Sequence, residues 1–370
     1  MIFENFAAAQ GFMLWSTFAL AIVLGAVANK TNFCTMGAIS DWVNMGDTGR
    51  LRAWLFAIAI AMLGVVVLEY LGKVDVGDSY PPYRAGQLVW AENLLGGVLF
   101  GIGMTLASGC GNKTLVRLGG GNLKSMLVAL VIAVIAYFMV NPLPGSDQTL
   151  FTLLFYGWMR PLAIDVGASQ DLGTLIAGDE NLPKARLLIG AVLGVALLVW
   201  VFVSVGAWYL TSNVVIDLDG ESYTLKSFAQ QWDFLADSPE GQPADTRPLS
   251  PQSFSFINPL GQTMGYAAHG LQPTYLTFGV MSLFGVVLGS FLWALASRSF
   301  RVEWFASWND FFNHFVGAVL MGFGGILAMG CTIGQAITGI STLALGSFIA
   351  FAGIVLGSAL TMKVQYYRMG

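Results

Sequence analysis

Two short segments of this sequence place a cysteine among glycines: ASGCGNKT at 107–114 and AMGCTIGQ at 328–335. The chain has three cysteines in 370 residues, and the third, Cys34, lies in TNFCTMGA. There is no CxxC pair and no Cys/His cluster, which are the patterns of redox and zinc sites. Thiols beside glycines in a mostly apolar chain instead indicate weak S–H donors next to an interrupted backbone.

Both segments are unfavourable inside a helix, because each glycine costs about 1 kcal/mol relative to alanine. In a membrane, an interrupted backbone is tolerated only where protein buries it or where it lines a cavity. We therefore predict that one helix ends at Cys110 and that a short helix starts at 112–114. The free amide groups and positive dipole end of that short helix would face the interruption. Such helix ends bind anions.

The predicted ligand is an anion that also suits thiols. A free cysteine has a pKa of about 8.5 and is mostly a neutral donor at pH 7, although a helix dipole lowers that pKa. Soft sulfur next to soft sulfur favours a sulfur-bearing anion. An isolated membrane cysteine usually only packs, but recurrence in the same glycine frame argues for a site. The predicted binding residues are Cys34, Cys110, Cys331, Gly109, Gly111, Gly330, Asn112, Lys113, Thr332 and Gln335.

Two basic residues follow the first of these segments. Lys113 and Arg117 come three and seven residues after Cys110 and share a helix face. They either attract the anion or lie at the cytoplasmic surface, and the sequence favours neither alternative. Four further glycines upstream of the cysteines are expected to let helices pack closely; they are Gly101, Gly103, Gly322 and Gly324.

The elements that position these residues are membrane spans. The chain is 56% hydrophobic and only 10% charged, whereas soluble domains carry about 25% charged residues. No basic run suggests a nucleic-acid partner. One clearly polar stretch, 211–252, is expected outside the membrane. Apolar segments of spanning length occur at 11–29, 53–71, 90–108, 123–141, 186–210, 274–297, 311–329 and 342–362, with a shorter ninth at 150–164.

The two glycine-cysteine segments belong to a long internal repeat. WAENLLGGVLFGIGMTLASGC at 90–110 aligns without a gap with FFNHFVGAVLMGFGGILAMGC at 311–331, at an offset of 221 residues. The same offset places Ser255 opposite Cys34. Internal repeats with a site at their interface are typical of transporters. The predicted halves are 1–165 and 183–370, joined by a linker at 166–182, with the second half carrying the extramembrane insertion at 211–252.

Loop charges predict the orientation. Lys30, Arg50 and Arg52 follow the first span and indicate the cytoplasm. The matching place in the second half carries the acidic insertion, which indicates the outside. We therefore predict inverted repeats in a bacterial inner membrane, with a periplasmic N-terminus and a cytoplasmic C-terminus. This requires the segment 150–164 to cross. The predicted fold is an all-α polytopic membrane protein with about nine transmembrane helices and short broken or re-entrant helices at the cysteines.

Three segments resemble the signature segments of the YeeE/YedE family of membrane proteins: NFCTMGAISD, GMTLASGCGNKTLVRLGGGNLKS and GILAMGCTIGQAITGIS. The resemblance covers both halves. It implies uptake of thiosulfate, which the cysteines of the three segments hold by S–H···S contacts along a narrow path. Residue by residue, this carries over to Cys34, Cys110 and Cys331. The resemblance also implies a small cytosolic sulfur-carrier protein of the TusA/YeeD type as a partner.

The membrane potential opposes uptake of an anion. Moving a dianion into a cell whose interior is negative by 100 mV costs about 4.6 kcal/mol of free energy. The sequence has no P-loop for ATP, so net uptake must be pulled by consumption of the ion inside. No cofactor or enzymatic activity is predicted.

Three alternatives stay open. One is a membrane thiol oxidoreductase or sulfurtransferase, which needs a second thiol nearby, such as Cys331 beside Cys110. Another is transport of a different sulfur species or of a selenium compound. The third is a soft-metal channel that uses the thiols with Met104 and Met329.

Overall fold

The computed structural model describes residues 1–3, 5–167, 169–177, 182–195, 202–218, 221–230 and 248–369. Most of this chain is helical. The helices are α1 Phe6–Thr31, α2 Thr35–Ser40, α3 Gly49–Tyr70, α4 Trp90–Leu106, α5 Gly111–Gly119, α6 Leu123–Val140, α7 Gly157–Met159, α8 Leu172–Ala177, α9 Leu182–Val195, α10 Phe202–Ser212, α11 Leu225–Gln230, α12 Ile257–Ala268, α13 Phe278–Ala296, α14 Trp308–Leu327 and α15 Leu345–Met369. Wider π-helical turns occur at Asp41–Met45, Thr152–Tyr156 and Ile333–Gly339.

Seven helical segments in the described residues are long and apolar enough to cross a membrane. The protein is therefore a multi-pass membrane protein. Seven of the predicted spans correspond to these segments, and the broken ones run through a cysteine. The segments are Phe6–Met45, Gly49–Tyr70, Trp90–Gly119, Leu123–Val140, Phe278–Ala296, Trp308–Leu327 and Leu345–Tyr367.

The predicted ninth span, 150–164, is wrong. Helical turns cover only 150–162, and they change from π to α to 3-10 geometry along that short run. Thirteen residues reach about 20 Å at 1.5 Å per residue, less than the ~30 Å hydrocarbon core. Beyond it, the Leu162 carbonyl accepts a 2.8 Å bond from Trp90 Nε1, at the start of α4. The segment packs against the sides of α4 and α14, where the Phe155 and Phe323 rings lie 5.9 Å apart, without being long enough to cross.

The predicted span 186–210 is not a single crossing either. It is described as α9 and α10, and 196–201 lies outside the described residues. At the start of α9, Arg186 Nη1 lies 3.0 Å from Glu69 Oε1. Just after α10, Asn213 Nδ2 donates to the Lys73 carbonyl. Both ends of this pair of helices therefore lie beside the C-terminal end of α3.

The bundle has two ends that carry different structures. The "insertion end" bears the loop 71–89 and a small sheet, in which β1 (Ile2–Phe3) pairs parallel with β4 (Val215–Leu218) and β4 pairs antiparallel with β5 (Glu221–Thr224). Two short strands, β2 (Gln87–Leu88) and β3 (Ile164–Asp165), also pair there. The prediction of an all-α chain is wrong in this respect, because the polar insertion supplies strands.

The opposite end of the bundle, the "Arg301 end", is closed by loop contacts. The Arg301 amide donates to Gly120 O at 3.1 Å, and the Leu123 amide donates to Glu303 O at 3.0 Å. These bonds tie the α5–α6 turn to the loop that follows α13. They place the N-termini of α6 and α14 at the same end, where Lys124 and Asp310 form an ion pair of 2.7 Å.

Helices α4 and α14 run antiparallel and touch through glycines. A Cβ atom on Gly103 would lie 2.6 Å from the Gly317 carbonyl oxygen. A Cβ atom on Gly324 would lie 2.6 Å from the Gly96 carbonyl oxygen. The backbones approach this closely only because no side chain stands between them. Packing roles for Gly103 and Gly324 therefore agree with the expectation from the sequence.

Two other helix pairs run parallel. Along α1 and α13, Asn29 Nδ2 donates to Ser290 O at 3.0 Å, and Gly25 lies directly against the Val286 backbone. Along α4 and α15, Thr105 Oγ1 and Ser358 Oγ share a 2.8 Å hydrogen bond. The long helices thus interlock elements from opposite ends of the sequence.

Candidate functional site

Each cysteine stands immediately before the first turn of a short helix. In all three cases the cysteine carbonyl accepts the first helical hydrogen bond from the amide four residues later, so the cysteine is the N-cap. The prediction of a broken helix with a short one after it is confirmed, although α4 ends at Leu106, earlier than expected. The three bonds are Ala38 N to Cys34 O at 3.0 Å, Thr114 N to Cys110 O at 2.9 Å and Gln335 N to Cys331 O at 2.8 Å.

The two helices before the breaks end in the same way. Ser108 and Met329, 221 positions apart, adopt left-handed φ angles of 58° and 56°. The following amides, of Gly109 and Gly330, bond back to carbonyls five residues earlier at 2.8 Å in both cases. This is a Schellman-type helix end, which satisfies the last carbonyls. The left-handed positions are held by a serine and a methionine, and not by the glycines that the sequence emphasises.

The glycines at the breaks provide room. A Cβ atom on Gly111 would lie 2.9 Å from Ile257 Cδ1 and 3.6 Å from Cys331 Cβ. A Cβ atom on Gly330 would lie 3.3 Å from Ser255 Oγ. The start of α5 therefore touches the Cys331 segment, and Ser255 lies against the same segment. The two breaks and the start of α12 meet at one place.

The thiols are buried and close together. Cys34 and Cys110 are within interaction distance of each other, and the Thr332 side chain lies next to Cys110. The Gly334 amide donates to Cys331 Sγ at 3.5 Å. All three cysteines are free thiols. The sequence pointed to Cys110 and Cys331 as the neighbouring thiols, whereas the structure places Cys34 beside Cys110 and Ser255 beside the Cys331 segment.

Five of the buried side chains that have a polar atom without a protein partner lie at or next to these helix starts. More than nine in ten buried polar atoms in proteins have a partner, so each exception requires an explanation. Within the described residues, five such side chains lie at the starts of α2, α5, α12 and the Cys331 helix, and each is at most 6% exposed. They are Thr35, Asn112, Ser255, Thr332 and Gln335. Their unpaired atoms can serve a small polar ligand.

Lys113 connects the thiols with the Arg301 end. It interacts electrostatically with Cys34 and Cys110, and its ammonium donates to Asn32 Oδ1. It also lines a cavity of about 210 Å³ that opens at the Arg301 end, here called the "Arg301-end cavity". The other charged residues lining it are Arg117, Arg301 and Glu303. Three positive charges against one negative charge make this cavity attractive to anions. Lys113 was predicted either to attract the anion or to lie at a surface. It lies beside the thiols and also lines a cavity that opens at one end of the bundle, so the two alternatives are compatible.

A tyrosine that sequence reasoning missed touches the site from the loop 71–89. Tyr83 is buried, and its hydroxyl donates to the Gly334 carbonyl at 2.9 Å. Burial, with a smaller contribution from Cys331, raises the pKa of Tyr83 far above its ordinary value. The hydroxyl therefore stays a neutral donor. In the sequence, Tyr83 stands out only by lying between two prolines and an arginine in a polar loop, and this pattern does not recur in the second half.

The residues of the soft-metal alternative do not gather at the thiols. Met104 is fully buried within α4, and Met329 lines a separate cavity of about 400 Å³ beside Arg160 and Gln170. Across the described residues, no three His, Cys, Asp or Glu side chains form a group that could hold a metal ion.

Comparison with known proteins identifies the family of this chain. Residues 30–360 match the family described as Sulphur transport. The chain is 26% identical to the thiosulfate transporter TsuA of Escherichia coli (strain K12), over 96% of both chains. It is 23% identical to the thiosulfate transporter TsuA of Spirochaeta thermophila, over 94% of this chain and 97% of that one. With nearly its full length covered, the chain belongs to the YeeE/YedE family of sulphur transport proteins.

Proposed function

We propose that this protein takes up thiosulfate through a path that crosses the bundle at its three cysteines. The observation that carries the proposal is the meeting of the cysteine helix starts with the buried hydroxyls of Thr35, Ser255 and Thr332, which have no protein partner and can donate to an anion. Helix N-termini and neutral donors favour an anion. Thiols add a preference for sulfur over oxygen. The relatives named as thiosulfate transporters support the choice of this ion.

The order of groups along the path follows from their neighbours. Ser255 comes first from the insertion end, lying against the residues that flank Cys331. Thr332 then links Cys331 to Cys110. Cys34 and Lys113 follow, and the Arg301-end cavity completes the route. A weak S–H donor contributes less than the ~0.5–1.5 kcal/mol of an ordinary hydrogen bond. The ion is thus recognised in steps without being trapped.

We also propose that the halves 1–165 and 183–370 are inverted repeats joined by the linker 166–182. The equivalent helices run in opposite directions: α14 is antiparallel to α4, and α13 is parallel to α1 and therefore opposite to α3. The glycine contact of Gly103 with Gly317 and that of Gly324 with Gly96 exchange under the same 221-residue offset. This support does not depend on a crossing at 150–164.

In this arrangement the insertion end faces the periplasm and the Arg301 end faces the cytoplasm of the inner membrane. Single cysteines at Ser222, in β5, and Ser297, after α13, test this orientation, since both residues are exposed. A membrane-impermeant thiol reagent added to intact cells should label Ser222→Cys and spare Ser297→Cys. The reverse pattern would overturn the orientation.

Uptake of a dianion needs a driving force, as the membrane potential opposes it by about 4.6 kcal/mol at 100 mV. The positive Arg301-end cavity lowers the energy of the ion on the inner side, and its consumption there completes the step. A cytosolic carrier with a reactive thiol is the partner that the family resemblance implies, and it stays a prediction.

A thiol oxidoreductase is the second candidate, because Cys34 and Cys110 lie together. A reversible disulfide between them would require an oxidant from outside the protein. Trapping of thiols in membranes with and without reductant, followed by mass spectrometry, separates the two functions. Transport predicts that both thiols stay free during turnover.

The decisive test of transport replaces the thiols. Cys110→Ala and Cys331→Ala each remove an S–H donor to the ion. Because a weak donor contributes less than ~0.5–1.5 kcal/mol, each single variant should lower uptake by up to about tenfold, and the double variant by more. Cys→Ser keeps a donor that is harder and shorter, and should also reduce uptake. Cys34 should tolerate serine better, as its repeat counterpart is Ser255.

Labelled thiosulfate uptake is measured in cells without other importers, with sulfate as the competing anion. Ser282→Ala, a buried change in α13 away from the path, controls for insertion into the membrane. Normal uptake by the Cys110→Ala, Cys331→Ala double variant would return both cysteines to a packing role.

A further inference from the structure

A second cavity lies at the insertion end, above the start of the thiol path. Its volume is about 430 Å³, and it lies between the C-terminal part of α6 and α12. Among the described residues that line it there is no Asp, Glu, Lys or Arg, in contrast to the Arg301-end cavity. We call it the "insertion-end cavity". Its polar lining includes Tyr80, Tyr137, Asn141, Asn258, His269 and Tyr275.

A narrow space joins this cavity to the thiol path. It measures only about 20 Å³, shares Tyr80, Asn258 and Gln262 with the insertion-end cavity, and reaches Ser255 at its inner side. A space of this size holds about one water molecule. An anion with several heavy atoms therefore cannot pass from the cavity to Ser255 in this conformation.

One hydrogen bond joins separate parts of the chain across this constriction. Asn258 Nδ2, on α12, donates to the Tyr80 hydroxyl, on the loop 71–89, at 2.7 Å. Close by, Thr277 Oγ1 donates to Gln262 Oε1 at 2.6 Å and ties α12 to the start of α13. The bond between Tyr80 and Asn258 thus links a side chain of the loop to α12, the helix that begins two residues after Ser255.

Other bonds anchor the loop to the segment before α12, to α3 and to the segment after Cys331. The Tyr80 amide donates to Pro251 O at 3.0 Å, and the Tyr83 hydroxyl donates to Gly334 O. Arg84, which is 3% exposed, donates to Thr342 O at 2.7 Å and pairs with Glu69. Because these bonds hold the backbone, the Tyr80 ring can swing aside while the loop and the Cys331 helix stay in place.

Resting on the proposed function, we propose that Tyr80 and Asn258 form the gate at the insertion end, and that their hydrogen bond controls access of the anion to Ser255 and Cys331. The gate is opened when the tyrosine hydroxyl exchanges Asn258 for the anion or for water. Asn258 then presents its amide to the passing ion. The residues therefore set both the size limit and the first polar contact of the path.

The test measures how fast a reagent from outside reaches Cys331. The probe is the anionic thiol reagent methanethiosulfonate ethylsulfonate, added to intact cells that produce the full chain with its native cysteines. Modification of Cys331 is followed over time by mass spectrometry. This readout is independent of thiosulfate, so it remains informative if the transported anion is a different one.

Tyr80→Phe removes the hydroxyl and keeps the ring, and Asn258→Ala removes the other partner. Loss of an ordinary hydrogen bond changes an opening equilibrium by a factor of ~2–10. Both variants should therefore raise the rate of Cys331 modification ~2–10-fold. Tyr137→Phe is the matched control, because Tyr137 lines the same cavity but not the constriction. It should leave the rate unchanged.

Equal rates in wild type, Tyr80→Phe and Asn258→Ala would overturn the gate. An equal increase in Tyr137→Phe would also overturn it, since it would indicate general loosening. Thiosulfate uptake is measured in the same cells. Faster modification of Cys331 without any thiosulfate uptake would keep the gate and reject the proposed substrate, whereas normal uptake with unchanged modification would do the opposite.

Discussion

The contact between α4 and α14 predicts a specific loss of stability on adding one methyl group. In Gly103→Ala the new Cβ would lie 2.6 Å from the Gly317 carbonyl oxygen and 2.7 Å from the Met321 amide nitrogen. Comfortable C···O contacts begin at about 3.3 Å, so the helices must separate by roughly 0.7 Å. Overpacking of this kind costs ~1–3 kcal/mol.

Helix propensity acts in the opposite direction, because alanine is favoured over glycine by about 1 kcal/mol inside a helix. Gly11→Ala measures the effect of helix propensity alone, since a Cβ on Gly11, in α1, meets nothing within 4 Å. Gly103→Ala should therefore be ~1–3 kcal/mol less stable than Gly11→Ala. Gly324→Ala should be at least as unstable as Gly103→Ala, because its Cβ would lie 2.6 Å from the Gly96 carbonyl oxygen and still closer to the Phe100 amide nitrogen.

Thermal unfolding of the purified variants in one detergent, monitored by loss of the monodisperse peak, gives the order of stability. The expected order is Gly11→Ala at or above wild type, with Gly103→Ala and Gly324→Ala clearly below Gly11→Ala. If all three variants unfold at the same temperature, close contact at these glycines does not limit stability, and the reasoning is refuted.

Two further predictions concern charge. Lys113→Met should lower thiosulfate uptake roughly tenfold, because it removes one charged hydrogen bond to the ion. Lys363→Met, an exposed change on α15, is the control and should leave uptake unchanged. Equal uptake by both variants would show that Lys113 is not part of the path. Burial tends to raise the pKa of Asp171, but its bonds to Arg186 and the charge of Arg84 hold that pKa well below its usual range. Its stabilisation is therefore present above the unfolded pKa of about 4 and lost as the pH falls through the lower folded value. Asp171→Asn should lower the unfolding temperature at pH 7, and the difference from wild type should shrink below about pH 4; a constant difference would contradict this.

Local sequence rules predicted the parts of the site that depend on neighbouring residues. The breaks at Cys110 and Cys331 followed from glycine next to cysteine at the end of an apolar run. The repeat offset placed Ser255 opposite Cys34. In the structure Cys34 lies beside the break at Cys110, and Ser255 lies beside the break at Cys331. Ser108 and Met329 were not predicted to be left-handed, because either residue takes that conformation only when the surrounding helix end requires it.

What the sequence missed depends on distant contacts. Apolar runs do not distinguish a crossing from a shorter helical segment that packs against the sides of other helices, so the prediction of a span at 150–164 was wrong. Two separate helices such as α9 and α10 also have the hydropathy of one long span. Tyr80 and Asn258 are 178 residues apart, and nothing in their immediate sequence indicates that they meet. Only the packing of the loop 71–89 against α12 shows it.

The parallel contact of α1 with α13 has a consequence for biosynthesis. Asn29 and its partner Ser290 are separated by 261 residues. At roughly 5–20 residues per second, a ribosome needs about 13–50 s to make the second after the first. Until then, the α1 surface around Gly25 has no helix of its own protein to pack against. Helix α1 is thus made long before the helix it packs against, and the chain cannot mature one half at a time. Two separately produced halves would have to assemble with each other before either was complete.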